Sequence, residues 1–293
     1  MFLAIEETSV SKAWIRALQD VLFEGDLIKS QYDTEDDFPT RDCTSAIHVT
    51  DPLSDPLTLR GKKMNIKGFE VYCHPADLYC IESIKSGYLD EVMTGKMDHL
   101  IYDSKESYPY TYHDRLFNYR HLSIEDFNQQ PIVQELLSYE LRPVKGINQI
   151  NEMKKKLSSS PYSRRAQATT WRPIGDNMRS DPPCLQRIWA RIFDGKMRLN
   201  THWRSRDLFG AWSANVNGMI QIGKKLSEEL GVEFAEYYDF CDSLHIYGKK
   251  KKIAKELIPI LQRIETKKDG FDEKYEEKLR QLEVNLQSWN RDD

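Results

Sequence analysis

Five cysteines in 293 residues are few, and Cys43, Cys73, Cys80, Cys184 and Cys241 are odd in number and widely spaced. With no C-x-x-C pair there is no sign of a zinc site or a redox dithiol, and a reducing, cytoplasmic setting is expected. Long apolar runs are missing too: none approaches the roughly 20 residues that span a bilayer. The opening MFLAIEETSVSK is acidic where a secretory leader is basic, so a soluble chain with no membrane is expected. Charge of one sign is also scarce. A formal net charge of -4 is too mild for a nucleic-acid coat or a membrane-surface protein. Internal repeats and low-complexity tracts are absent, apart from the short run Lys249 to Lys252. What is present, 40% apolar and 30% charged residues, suits a globular chain able to bury a substantial core without staples.

Apolar periodicity then orders the chain. Ala13, Trp14, Ala17, Leu18, Val21 and Leu22 share one face of a helix predicted over 11–29, with Ser11 as its cap. The stretch from Tyr32 to Pro39 reads as an acidic turn, TSAIHVT as a strand and PLSDPLTLRGKK as a proline-punctuated connection. Residues 76–95 read as a helix ending near Gly95, KESYPYTYHDRLFNY as an aromatic loop, residues 147–157 as a helix, and SPYSRRAQATTW as a turn entering a strand. LQRIWARIF, Asp194-Gly195 and KMRLNTHWR spell strand, hairpin turn and strand, because Asp-Gly suits a two-residue hairpin loop. Val216, Met219, Ile220, Ile222, Leu226 and Leu230 then form a helical stripe that stops at Gly231. FAEYYDFCDSLHIY reads as a strand, and two charged amphipathic helices, near 250–265 and 271–288, follow as a peripheral cover.

Four patches carry chemistry: Ser163-Arg164-Arg165, Pro182-Pro183-Cys184, Arg204-Ser205-Arg206-Asp207, and Leu244 to Tyr247. Each alone has an ordinary explanation as a packed cysteine, surface arginines or a packed His-x-Tyr. In this order and spacing they resemble the thymidylate synthases and the pyrimidine hydroxymethylases of the same superfamily. The resemblance runs from about Tyr108 to Tyr247 through PYTYHDRL, SPYSRRAQATTW, DPPCLQ, the DGK hairpin, RSRDLFGAWSAN and DSLHIY. It is closest to the archaeal-type branch, which shares PCLQ. Residues 1–100 match faintly and the last forty hardly at all. The resemblance implies an α/β fold, a large mixed sheet packed by helices on one face, with the other face forming a dimer interface. It also implies a single catalytic domain over 1–293, with a divergent N-terminal part (1–100) and a peripheral helical C-terminal part (249–293).

The chemistry explains these residue types. Carbon 5 of a pyrimidine is a poor nucleophile until a thiolate adds at carbon 6 and makes the ring an enolate. By resemblance that thiolate is Cys184, and nearby guanidinium groups favour the anion. The same arginines suit a nucleotide phosphate: Arg204 and Ser205 from one subunit, Arg164 and Arg165 across a homodimer interface, and Arg41 on a mobile loop. Asn215, eight residues after Asp207, is the expected base reader. Its amide matches uracil N3–H and O4, and cytosine-specific relatives carry aspartate there, which favours dUMP over dCMP. His245 and Tyr247 match contacts to the sugar 3′-hydroxyl, Asp207 a folate contact, and Tyr112 an active-site tyrosine. The general base is expected to be Glu91, with Glu82 behind it. The cofactor implied is 5,10-methylenetetrahydrofolate or a related methylene-tetrahydropterin.

Two departures bear on the product. Leu185 stands where most synthases have a histidine, and SWNRDD replaces a short apolar tail that closes over folate. Hydride capture of the methylene gives a methyl group and water gives a hydroxymethyl group, so exclusion of water decides between synthase and hydroxymethylase. A non-catalytic binder using the lysine run and arginines as a phosphate footprint is a third reading. It leaves Cys184 and Asn215 without a purpose, and nucleic acid is not the expected partner.

Overall fold

The computed structural model describes residues 1–30, 38–54, 64–102, 109–120 and 146–266. The predicted helix at 271–288 and the SWNRDD end lie outside the described residues. The chain divides into two compact units. The first comprises Met1–Gly87, Arg206–Asn217 and Asp242–Asp293, and the second Tyr88–Ser205 and Gly218–Cys241.

In the first unit, β1 (Phe2–Glu7) pairs in parallel with β3 (Thr40–Val49), and β2 (Asp26–Ile28) pairs antiparallel to β3. β3 neighbours β10 (Glu233–Ile246), whose last residues belong to this unit and pair in parallel with β9 (Arg206–Asp207). Between β1 and β2 runs α1 (Val10–Glu24), and every residue of its predicted apolar face is buried. Its cap is Ser9 rather than Ser11: the Ser9 side chain accepts from Lys12 N–H, and Ser11 is a buried residue of the first turn. A small hairpin, β4 (Met64–Ile66) and β5 (Phe69–Val71), precedes α2 (Leu78–Ser86).

The predicted helix at 76–95 is two. Gly87 takes φ +115° and closes α2 with a left-handed cap, and α3 (Tyr88–Thr94) starts afresh in the second unit. That unit also holds α4 (Tyr112–Phe117), α5 (Gln149–Ser159) and β6 (Gln167–Thr169). The hairpin β7 (Leu185–Phe193) and β8 (Lys196–Trp203) follows, its turn residues Asp194 and Gly195 at φ 50° and 73°. Here the order is β6-β7-β8-β10, antiparallel up to β8 and parallel between β8 and β10, so the sheet is mixed as expected.

Helix α6 (Trp212–Leu230) starts in the first unit and continues in the second, stopping at Gly231, φ +65°. All its predicted stripe is buried except Leu230, which is half-buried at the frayed end. At Gly223 a Cβ would lie 2.7 Å from Phe234 and 3.1 Å from Leu199, so a larger residue would push the helix off the sheet. The final described helix, α7 (Lys251–Thr266), packs on α1 through a face that includes Ala254 and Leu257. Among the described residues no helix is long and apolar enough to cross a membrane.

Candidate active site

Cys184 immediately precedes β7. Cys43, Cys73, Cys80 and Cys241 are buried, and Cys184 alone is partly exposed. Burial pushes the Cys43 thiol up to about 12, as expected of a packing residue. The backbone around Cys184 is tied down. Arg204 N–H donates to the Cys184 carbonyl at 2.9 Å, and the Arg204 guanidinium donates from Nε to Pro183 O (3.0 Å) and from Nη2 to Pro182 O (2.6 Å). Proline offers no N–H for a regular ladder, so the arginine satisfies carbonyls that sheet pairing leaves open.

Tyr112, the first residue of α4, accepts from Leu185 N–H at 3.3 Å and is hydrogen-bonded to Tyr110, whose ring lies 5.4 Å away at 62°. Burial raises both phenols above their ordinary range, and the neighbouring Cys184 adds to it. Both therefore remain neutral hydrogen-bond donors beside the thiol. Tyr110 escaped the sequence reading, although the spacing of Tyr110 and Tyr112 in PYTYH puts both on one side of an extended segment. That segment is braced from below. Arg115 grips Asp176 through two bonds of 2.7 and 3.0 Å and donates to Thr170 O, Arg172 pairs with Asp114 at 3.1 Å, and Arg179 donates to Pro109 O at 2.8 Å.

Glu91 is half-buried on α3, whereas Glu82 is solvent-exposed and pairs with Lys85 at 2.8 Å, an ordinary surface ion pair. Arg164 and Arg165 are exposed on the turn before β6, and the Arg164 carbonyl accepts from Trp189 Nε1 at 3.0 Å. Ser205 is half-buried at the end of the unit.

The remaining predicted residues belong to the first unit. Asp207 on β9 pairs in register with His245 on β10, and Leu208 N–H donates to the His245 carbonyl at 2.8 Å. The His245 ring lies 4.7 Å from that of Tyr247. His245 Nδ1 is 3.3 Å from Ser243 O, so it carries the hydrogen, which makes Nε2 an acceptor. That Nε2 is buried and finds no partner among the described residues. Asn215, half-buried, sits in the first turns of α6. This end of the helix is clipped to the segment before α2: Asn217 accepts from Tyr72 N–H (2.7 Å) and donates to Tyr72 O (2.9 Å), and Asp77 bonds Ser213. Burial raises Asp77 to about 7 and lowers the stacked, buried His74 to about 3.

Arg41 differs from expectation. It lies in strand β3 rather than on a loop, opposite Leu27, and its Nη1 donates to Gly25 O at 2.6 Å. The acidic turn read before it drew attention away from the strand. Lys250 was read only as part of a charge run, but it pairs with Asp207 at 3.1 Å and lies 4.6 Å from the centre of the Tyr79 ring. The run is therefore not a free cationic strip.

Comparison with known proteins assigns the chain to a family. The profile of the thymidylate synthase family matches residues 110–285, more than half of the chain. A protein of Methanothermobacter thermautotrophicus, provisionally named a thymidylate synthase, is 25% identical over 262 residues, covering 88% of this chain and 99% of that protein. A similarly named protein of Methanocaldococcus jannaschii is 26% identical over 84% of this chain and 90% of its own length. A deoxyuridylate hydroxymethyltransferase of Bacillus phage SP01 is 32% identical over 105 residues, 34% of this chain and 27% of that enzyme. The family match and these relatives, on a mixed α/β fold, thus define a one-carbon-transferring enzyme. The chain belongs to the thymidylate synthase family, whose chemistry is one-carbon transfer to carbon 5 of a pyrimidine nucleotide.

Proposed function

We propose that the protein converts dUMP to dTMP, with 5,10-methylenetetrahydrofolate or a related methylene-tetrahydropterin as donor. The observation that carries this is Cys184, the one partly exposed thiol, held by an arginine and flanked by two neutral phenols. Its thiolate adds to carbon 6 of the uracil, and Arg204 favours the anion electrostatically. Arg204 and Ser205 bind the phosphate, with Arg41 as a further contact and Arg164 and Arg165 supplied by a second copy. Asn215 reads uracil, the unpartnered His245 Nε2 accepts from the sugar 3′-hydroxyl beside Tyr247, and Glu91 takes the carbon 5 proton, with Tyr112 alongside. On this reading residues 1–293 are one catalytic domain.

Asp207 fits the donor: a carboxylate next to the Phe209 and Tyr79 rings, 5.2 Å apart, suits a flat heterocycle bearing N–H groups. When bound, the donor supplies the methylene unit and, for a methyl product, the hydride. The homodimer would use the outer face of β7, β8 and β10. There Trp189, Arg191, Phe193, Arg198, Asn200 and Tyr238 line an open concavity of about 340 Å³, and Arg191 stands directly opposite Arg198. Arg198 is neutralised within the unit by Glu236 at 2.9 Å, which lets the two guanidinium groups stand in that register. The free thiols suit a reducing cytoplasm.

A second reading, dUMP or dCMP 5-hydroxymethylation, draws on the phage relative and on Leu185, whose fully buried side chain replaces a polar one beside the thiol. The test is incubation with dUMP, and separately dCMP, plus methylenetetrahydrofolate, following dihydrofolate absorbance and product mass. Dihydrofolate with methylated dUMP is expected. A hydroxymethylated product without dihydrofolate would replace the synthase reading, and full turnover by Cys184→Ala would end both.

A further inference from the structure

Around Asp207 the acceptor capacity is almost used up within the chain. Oδ1 accepts from Phe209 N–H at 3.0 Å and Gly210 N–H at 2.9 Å, while Lys250 Nζ holds Oδ2 at 3.1 Å. Both side chains are largely withdrawn from solvent, at 15% and 17% exposure, so water screens this pair less than a surface one. The fit is close. A Cβ at Gly210 would lie 2.4 Å from Asp207 Oδ2 and 2.7 Å from Lys250 Nζ, and a Cβ at Gly248, two residues before Lys250, would collide with Phe38 O. Lys250 N–H donates to Tyr247 O at 2.9 Å, so the lysine approaches from a fixed backbone.

We infer that Lys250 sets the affinity for the one-carbon cofactor by occupying the only oxygen of Asp207 still open to the cofactor's ring N–H donors. This rests on the reading that Asp207 contacts that cofactor. A carboxylate oxygen whose partner oxygen already serves two backbone amides must meet a further pair of donors largely at Oδ2. The ammonium and the ring compete there, and binding includes the work of displacing Lys250. Lys250 also lies over Tyr79, whose face the flat ring would share, so the competition extends from the carboxylate to the aromatic wall.

The experiment measures tetrahydrofolate binding by tryptophan fluorescence, with saturating dUMP and no turnover, for the natural chain, Lys250→Met, Lys250→Arg and Asp207→Asn. Lys250→Met is expected to bind about five- to tenfold more tightly, the scale of a part-buried ion pair, and Lys250→Arg about as the natural chain does. Unchanged or weaker binding by Lys250→Met overturns the inference and leaves the proposed reaction standing. Should Asp207→Asn in the natural background bind unaltered, the cofactor role of Asp207 itself is wrong, and the inference falls with it. Product mass with Cys184→Ala tests the reaction separately.

Discussion

The two units order their candidate residues in different ways. In the second, the backbone at the thiol is held by the hairpin partner Arg204 on the adjacent prolines and, from 73 residues away, by Tyr112 on Leu185 N–H. Beneath them lie arginine–carboxylate pairs with almost no exposure. In the first unit, Asp207 and Asn215 share one stretch and His245 comes from another. Asp207 is held by two backbone amides and by Lys250, and the unit also carries two buried groups, Asp77 and His74, whose titration is displaced in opposite directions. One region relies on buried charge already paired, the other adds buried charge kept suppressed. The first kind of order fails when a partner is removed, the second when pH changes.

The sharpest way to break this contrast is Arg115→Met, which takes from the fully buried Asp176 its two-bonded partner and leaves it Arg179 at 3.6 Å and the Arg172 N–H. A loss of about 3 kcal/mol in denaturant unfolding is expected, since removing one partner of a buried pair costs far more than the pair contributes. A loss under 1 kcal/mol would mean that the pairs do not brace the Tyr110–Tyr112 segment. Next in size, Asn215→Asp should lower kcat/KM for dUMP about a hundredfold and raise it for dCMP, because a carboxylate accepts from the cytosine amino group but repels uracil O4, to which an amide donates. Equal losses for both nucleotides would show that Asn215 does not read the base.

The pH prediction is smaller and more specific. Asp77 is raised from 3.8 to about 7, so the folded state holds its proton more tightly, and stability is full below 3.8 and lost as pH rises to about 7. His74 is lowered from 6.5 to about 3, so stability from it is full above 6.5 and lost as pH falls towards 3. Between about pH 4 and 6.5 the two slopes oppose each other. Asp77→Asn removes one of them, and its stability should then climb with pH by up to about 1.4 kcal/mol per unit across that window, measured by urea unfolding. A profile parallel to that of the natural chain would show that these groups do not oppose one another.

How much of this was readable beforehand follows from range. The hairpin, its Asp-Gly turn, α6 with its glycine stop, and Cys184 beside Arg204 are local patterns, and all fell where periodicity and motif spacing put them. β1 was missed because six residues of alternation were overshadowed by the question of a leader peptide. The helix at 76–95 was read through Gly87, because a glycine in a helical pattern does not announce a left-handed cap. Asp77, His74 and Lys250 were invisible for a different reason. Their environments are made by residues far away in sequence, and nothing in DLYC or GKKK reports burial or an aspartate on another strand. Tyr110 lies between these cases: the i, i+2 spacing was legible, but the thiol next to it was not.

The distribution of the cysteines divides the protein's sulfur into two populations that differ in when they can react. Four thiols are sealed for as long as the chain stays folded, and one meets solvent throughout. An electrophile or peroxide arriving from outside therefore encounters Cys184 first. Under the proposed mechanism, chemical stress would silence such a molecule before it loosened it, leaving an intact but inactive fold whose injury rests on a single, accessible sulfur.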